Sequence, residues 1–354
     1  MKSIAEVNTD QVQDIVTKLA QTLMIPRNMI LPFVEFDKFM PELFKQADHS
    51  HSNLLAAGHI SPDVAIAADR AGLKFDERLG VSPFASDVDA LLREPISAHD
   101  ILYVANPNRI TGANFSLADL ELLAQAVPSG ALIVDEYYYD YYGISAIPLF
   151  EMYSNVVVLR SFTASYGIGS DDSGFVIASK ERTTHLREIC GDPTISSTQL
   201  RVLQTALENS SMLTQRLSDL HNESLRIASA LSTLGIQCRL SATDFLMFRV
   251  GDTKNVGNAL ARARVPIENF EGYPLLDHYM RYRLQSPLSN DRFVDSFAKM
   301  PPEYYRLALP DRRPVTLRRP ADKRTPVETN TRDVRTVSRP RVVLEKEELV
   351  RSNS

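Results

Sequence analysis

Apolar positions along the chain switch between helical and strand-like spacing. Val12, Ile15, Val16, Leu19 and Leu23 recur at the spacing of one helix face, behind a candidate N-cap at Asn8-Thr9-Asp10, and Pro26 ends the run. Met29-Ile30-Leu31 predicts a short strand and Glu35–Gln46 a helix. Leu54–Ala57 reads as a buried strand, with a helix over 61–71 that stops at Gly72. Ile101–Ala105, Ala131–Asp135 and Val156–Leu159 are short unbroken apolar runs, as in strands covered on both faces. Ser116 is placed to cap a helix reaching about Ala126, with Asp119 at capping-box spacing. A further strand begins at Gly174.

Beyond Lys180 helices dominate: about 181–190, 196–208 and a long one over Met212–Leu234, closed by Gly235. Short strand patterns then alternate with a helix near 254–263: Gln237–Leu240, Phe245–Val250, Val265–Ile267 and Tyr282–Leu284. A helix over Asn290–Met300 closes the series. The pattern predicts an α/β large domain over 1–208 and a small α+β domain over 209–300. Residues 301–354 hold seven of the twenty prolines with few apolar clusters, which predicts a disordered or loosely docked tail.

Composition narrows the class. The 354 residues are 44% hydrophobic and 23% charged, ordinary for a soluble globular protein. No apolar run approaches membrane-spanning length and the N-terminus shows no signal-type apolar region, so a cytoplasmic protein without membrane partners is expected. Cys190 and Cys238 have no metal-type spacing, and no metal site is expected. The net charge of −5 divides into a tail with 13 basic and 8 acidic residues and a body that is net acidic. That balance does not describe a nucleic-acid binder; only the tail is suited to an acidic surface.

The candidate chemistry lies in three stretches. Residues 155–175 read NVVVLRSFTASYGIGSDDSGF, 104–112 read VANPNRITG, and 131–139 read ALIVDEYYY. In this order they resemble fold-type I pyridoxal-phosphate (PLP) aminotransferases, especially the histidinol-phosphate aminotransferase branch. That family carries patterns close to S-F-S-K-x-Y-G-L-x-G-x-R-x-G-Y, N-P-N-N-P-T-G and D-E-A-Y. The resemblance covers roughly 10–300. It implies a large domain with a mostly parallel sheet between helices, a small C-terminal domain and a dimer. Asp135 falls where the family holds the protonated pyridine nitrogen, Tyr138 where it bonds the phenolic oxygen, and Ser161 lies in the cofactor segment. MRYRLQSPLSN places Arg281 where an arginine fork grips the substrate carboxylate, with Arg283 on the same strand face.

Other positions depart from the family. The imine-forming lysine falls on Ala164, and no lysine or histidine lies between Asn155 and Ile177. The phosphate-binding arginine falls on Asp172, and the asparagine that bonds the phenolic oxygen on Arg109. The glycine-rich phosphate turn falls on Pro32-Phe33-Val34-Glu35-Phe36. Where the family has an aromatic ring near the cofactor, the candidates are His59 and Ser61, and His59 is read as a loop histidine. A lysine both holds the cofactor and shuttles the proton, and alanine does neither.

The expectation is a pseudo-transaminase with no catalytic residue at Ala164, vestigial cofactor contacts at Asp135, Tyr138 and Ser161, and a remodelled pocket at Arg109 and Asp172. It would bind no cofactor, or PLP only non-covalently, and take an amino acid or small carboxylate at Arg281. It would pair with itself or with an active homologue. The alternative is an enzyme of another reaction type in the same pocket.

Overall fold

A computed structural model describes residues 9–45, 53–162, 164, 173–191, 195, 197–208 and 210–307. Its larger sheet joins β1 (Ile30–Phe33), β2 (Leu54–Ala57), β3 (Phe75–Arg78), β4 (Ile101–Ala105), β5 (Ala131–Asp135), β6 (Val156–Ser161) and β7 (Gly174–Ile177). Their order across the sheet is 1-7-6-5-4-2-3. The pairs among β3, β2, β4, β5 and β6 are parallel, while β7 runs antiparallel to both β6 and β1.

Helices cover both faces, so alternate residues of each strand enter different cores. Leu102, Val104, Leu132 and Val134 pack with Val12, Ile15 and Leu19 of α1 (Thr9–Leu23) and with Leu120 and Leu123 of α2 (Leu117–Ala126). Ile101, Tyr103 and Ile133 face the opposite core, with Phe36, Phe39 and Met40 of α3, the helix over Phe36–Phe44. By the same alternation Tyr103 and Asp135 share this second face. Ser116 caps α2 with the reciprocal box expected: its Oγ accepts from the Asp119 N–H while Asp119 accepts from the Ser116 N–H.

The smaller sheet joins β8 (Gln237–Leu240), β9 (Phe245–Arg249), β10 (Glu268–Asn269) and β11 (Tyr279–Arg283), antiparallel in the order 10-11-9-8. Strand β9 works on both sides. Leu246 and Phe248 pack into the small lobe's own core with Ile227, Leu231, Phe293 and Tyr305. Phe245 and Met247 pack with Ile110, Tyr138 and Phe270 in a cluster that joins the lobes. Gly112 sits at that junction with φ +74°, and a Cβ there would lie 2.3 Å from the Ser241 Cβ. A side chain at 112 would therefore push the lobes apart.

Two local expectations need correction. Pro32 and Phe33 belong to β1, not to a turn: Pro32 pairs with Phe175 and Phe33 with Gly174, and the chain turns only at Val34-Glu35. The strand expected at 265–267 forms instead directly after that stretch, at Glu268–Asn269. His59 lies in the loop after β2, as read, and is buried there, with Nε2 2.9 Å from the Pro274 carbonyl and Nδ1 3.4 Å from Glu77. Among the described residues no helix is long and apolar enough to cross a membrane, and no cluster of potential metal ligands occurs.

Candidate functional site

The carboxyl edge of the large sheet is where open α/β sheets place their ligands. Four segments leave it together: 58–61 after β2, 106–112 after β4, 136–138 after β5, and the one that begins at Phe162 after β6. Asn108 builds the 106–112 loop from within. Its Oδ1 accepts from the backbone N–H of Ile110 and Thr111, and its Nδ2 donates to the His59 carbonyl at 2.8 Å. Beside Asn108 and Thr111 lies a cavity of about 20 Å³, room for one water.

That loop aims Arg109 at the end of β5. Its Nη1 lies 3.0 Å from Asp63 and 3.6 Å from Asp135. The guanidinium carbon is 4.4 Å from the centroid of the Tyr137 ring and 5.4 Å from that of Phe36. A planar cation thus sits against a buried carboxylate between two aromatic rings. Asp135 also accepts from the Tyr103 hydroxyl at 2.5 Å and from the Tyr137 N–H at 3.0 Å. Burial pushes the Asp135 carboxyl above its ordinary range, and Arg109 and Tyr103 offset this only in part. For Arg109 burial works against the charge, yet Asp135 and Asp63 more than restore it, so the guanidinium stays charged. Burial and the Asp135 charge keep Tyr103 protonated, hence a donor.

A second cluster crosses to the small lobe. The Tyr138 hydroxyl donates to Asp244 at 2.8 Å and accepts from Arg283 at 2.9 Å. Burial raises the Tyr138 phenol, with the Asp244 charge adding to it. Arg281 is buried, its guanidinium carbon 4.7 Å from the Phe245 ring and 5.3 Å from Phe270. Its Nη1 donates to the Arg109 and Ile110 carbonyls, and its Nη2 to Glu268. Arg283 reaches the other Glu268 oxygen at 3.2 Å, so the two arginines share one carboxylate across the β10–β11 pair.

The structure thus brings Arg109 and Asp135 into one cluster and Tyr138 and Arg281 into its neighbour. Ser161 lies at the end of β6 and accepts from the Ala164 N–H at 3.2 Å; Ala164 is half-buried beside Tyr141. Asp172 lies outside the described residues. Asp63, Tyr103, Asp244 and Glu268 escaped sequence reasoning, and Phe36 was read only as part of the phosphate turn. Only Asp63, acidic in the first turn of the helix Pro62–Ala71, offered a signal, and a first-turn acid is ordinarily a dipole partner.

These residues do not fit pyridoxal phosphate. The carboxylate that the resemblance sets beside a ring nitrogen faces an internal cation, the phenol is engaged across the lobes, and a methyl group stands where the resemblance sets the imine-forming lysine.

Comparison with known proteins places the architecture. The family described as aminotransferase class I and II matches residues 80–308. This chain belongs to that PLP-dependent family. It is 29% identical to a histidinol-phosphate aminotransferase of Chlorobaculum tepidum over 224 residues, 60% of this chain and 62% of the relative. A histidinol-phosphate aminotransferase of Chlorobium luteolum is also 29% identical, over 67% of this chain and 64% of the relative. The chain therefore spans about three-fifths of the length of these curated relatives. Among solved structures, histidinol-phosphate aminotransferase from Sinorhizobium meliloti in complex with pyridoxal-5'-phosphate superposes with a TM-score of 0.72 at 18% identity. The superposition covers 83% of this chain and 82% of that one, a likeness of fold.

Proposed function

We propose that this protein is a catalytically degenerate aminotransferase that forms no covalent PLP adduct and serves as a ligand-binding, regulatory or partner subunit. The observation that carries this reading is the Arg109 guanidinium against Asp135, stacked beside Tyr137 and Phe36. In the family the corresponding carboxylate faces the ring nitrogen of the cofactor. Here the chain supplies the planar cation itself. A bound pyridine ring would have to displace a charged group held by Asp63 and Asp135, leaving that charge to find new partners.

Ala164 supports the same reading. The activity named for the relatives needs a primary amine both to hold the cofactor and to move a proton, and a methyl group provides neither. The relatives' activity is therefore not the one we assign. Arg281 keeps a carboxylate-binding fork in a buried setting, which suits an amino acid or small acid as ligand. A partner role would join this chain to a second copy or to a lysine-bearing homologue.

The test is to mix the protein with excess PLP, dialyse, and record the visible spectrum and melting temperature. The expected result is no retained chromophore and no thermal shift. A cofactor that stays bound and raises the melting temperature by mass action would overturn the proposal.

A further inference from the structure

Glu268 stands where a ligand carboxylate would be received. It pairs with Arg281 through one oxygen and with Arg283 through the other. The two partners are built differently. The Arg281 side chain is 6% exposed, fixed by two backbone carbonyls and flanked by two rings. The Glu268 side chain is 41% exposed and rises from a two-residue strand at the edge of the small sheet. The arginine is fixed by many partners, whereas the glutamate is half-exposed at a sheet edge and free to be exchanged with solvent.

The pairing is also incomplete. The buried Nε of Arg281 has no hydrogen-bond partner among the described residues. A guanidinium offers Nε and Nη2 side by side, and a carboxylate can take both at once. Glu268 uses only Nη2 of Arg281, because its second oxygen is drawn to Arg283. A buried donor left without an acceptor is unfavourable, and a two-point ligand would satisfy it.

From this geometry we infer that Glu268 is a tethered competitor for the Arg281 fork, and that small carboxylates bind this protein by displacing it. The inference rests on the reading of the protein as a ligand-binding member of its family, and it assigns that site a built-in regulator. The incoming carboxylate takes Nε and Nη2 of Arg281, while Glu268 swings into solvent. Apparent affinity is then lowered by the fraction of time that Glu268 holds the fork. Because Arg281 also holds the carbonyls of Arg109 and Ile110, the exchange takes place on the strap between the lobes.

The experiment titrates sodium acetate, against sodium chloride at matched ionic strength, into the full chain and its Glu268→Ala and Glu268→Gln variants. Binding is followed by calorimetry and thermal shift. The expected result is saturable acetate binding in both variants, about tenfold or more tighter than in the unaltered protein, as for a competitor holding the fork nine-tenths of the time. Adding Arg281→Lys to Glu268→Gln should abolish it. Equal acetate affinity with and without Glu268, or no saturable binding in any form, would overturn the inference. Glu268→Gln keeps the side-chain shape and decides the matter if the alanine variant does not fold. PLP is absent throughout, so failure here leaves the cofactor reading standing. Retained PLP in the separate spectral test would sink that reading without touching the acetate result.

Discussion

Arg109, in the loop after β4, and Asp135, the last residue of the neighbouring β5, meet with Nη1 3.6 Å from the carboxylate. Tyr103 reaches the same oxygen from one strand over, two residues back from the end of β4. The contact is a product of register: Ala105 pairs with Asp135, so the loop that follows β4 must pass over the end of β5.

Truncating the cation should be costly. Arg109→Ala leaves Asp135 and Asp63 without their shared partner, and breaking a buried pair from one side costs about 3–5 kcal/mol. Arg109→Ala with Asp135→Asn should be milder than the sum of the two single changes. Urea unfolding of the four forms in a double-mutant cycle checks this. Strict additivity would show that the pair contributes nothing.

Restoring the lysine alone should fail. Ala164→Lys places an amine where the resemblance sets the imine-forming lysine but leaves Arg109 on Asp135. No covalent PLP adduct is expected by mass after borohydride reduction. The Ala164→Lys, Arg109→Asn double variant, which vacates the guanidinium, should trap more. An adduct in Ala164→Lys alone would show that Arg109 is no barrier.

The clasp between His59 and Glu77 gives a pH prediction. Burial pushes the Glu77 carboxyl up. Hydrogen bonds from His59 and the Ile60 N–H, with the His59 charge, outweigh this and leave it below its ordinary value of 4.5. A lowered folded-state pKa means stability that is full above the unfolded value and is lost as pH falls through the folded one. Melting temperature should therefore decline below about pH 4.5. Glu77→Gln should flatten that acid limb, and an unchanged limb would remove Glu77 as its cause.

Tyr138→Phe removes the hydroxyl that joins Asp244 and Arg283 while keeping the ring against Phe245. Loss of a buried hydrogen bond to charged groups should cost about 1.5–3 kcal/mol. Hydrogen exchange should rise at the 106–112 loop and β9, where the lobes meet. Uniform exchange across the molecule would place the hydroxyl outside the interlobe contact.

The sequence showed the central strands because β4, β5 and β6 are covered on both faces and so read as unbroken apolar runs. Strand β3, reading Phe-Asp-Glu-Arg, lies at the sheet edge, and its exposed residues carry no apolar signature. The motif positions Arg109, Asp135, Tyr138 and Arg281 were legible because each sits in a distinctive local string. Their partners were not. Asp63, Asp244 and Glu268 are ordinary surface residues in one dimension, and only register and loop path bring them to the arginines. His59 lies in a loop as read, but its burial was not legible, since it comes from the Pro274 and Tyr273 segment far along the chain.

The stacked guanidinium of Arg109 also bears on when the fold is complete. A protein finished by a soluble cofactor gains stability in proportion to the logarithm of that molecule's concentration. On the function proposed above, the cation beside Asp135 is instead Arg109, made on the ribosome in the same chain. Its local concentration is fixed by the loop and does not change with dilution, diet or growth phase. The molecule should be as sturdy in a vitamin-starved cell as in a replete one.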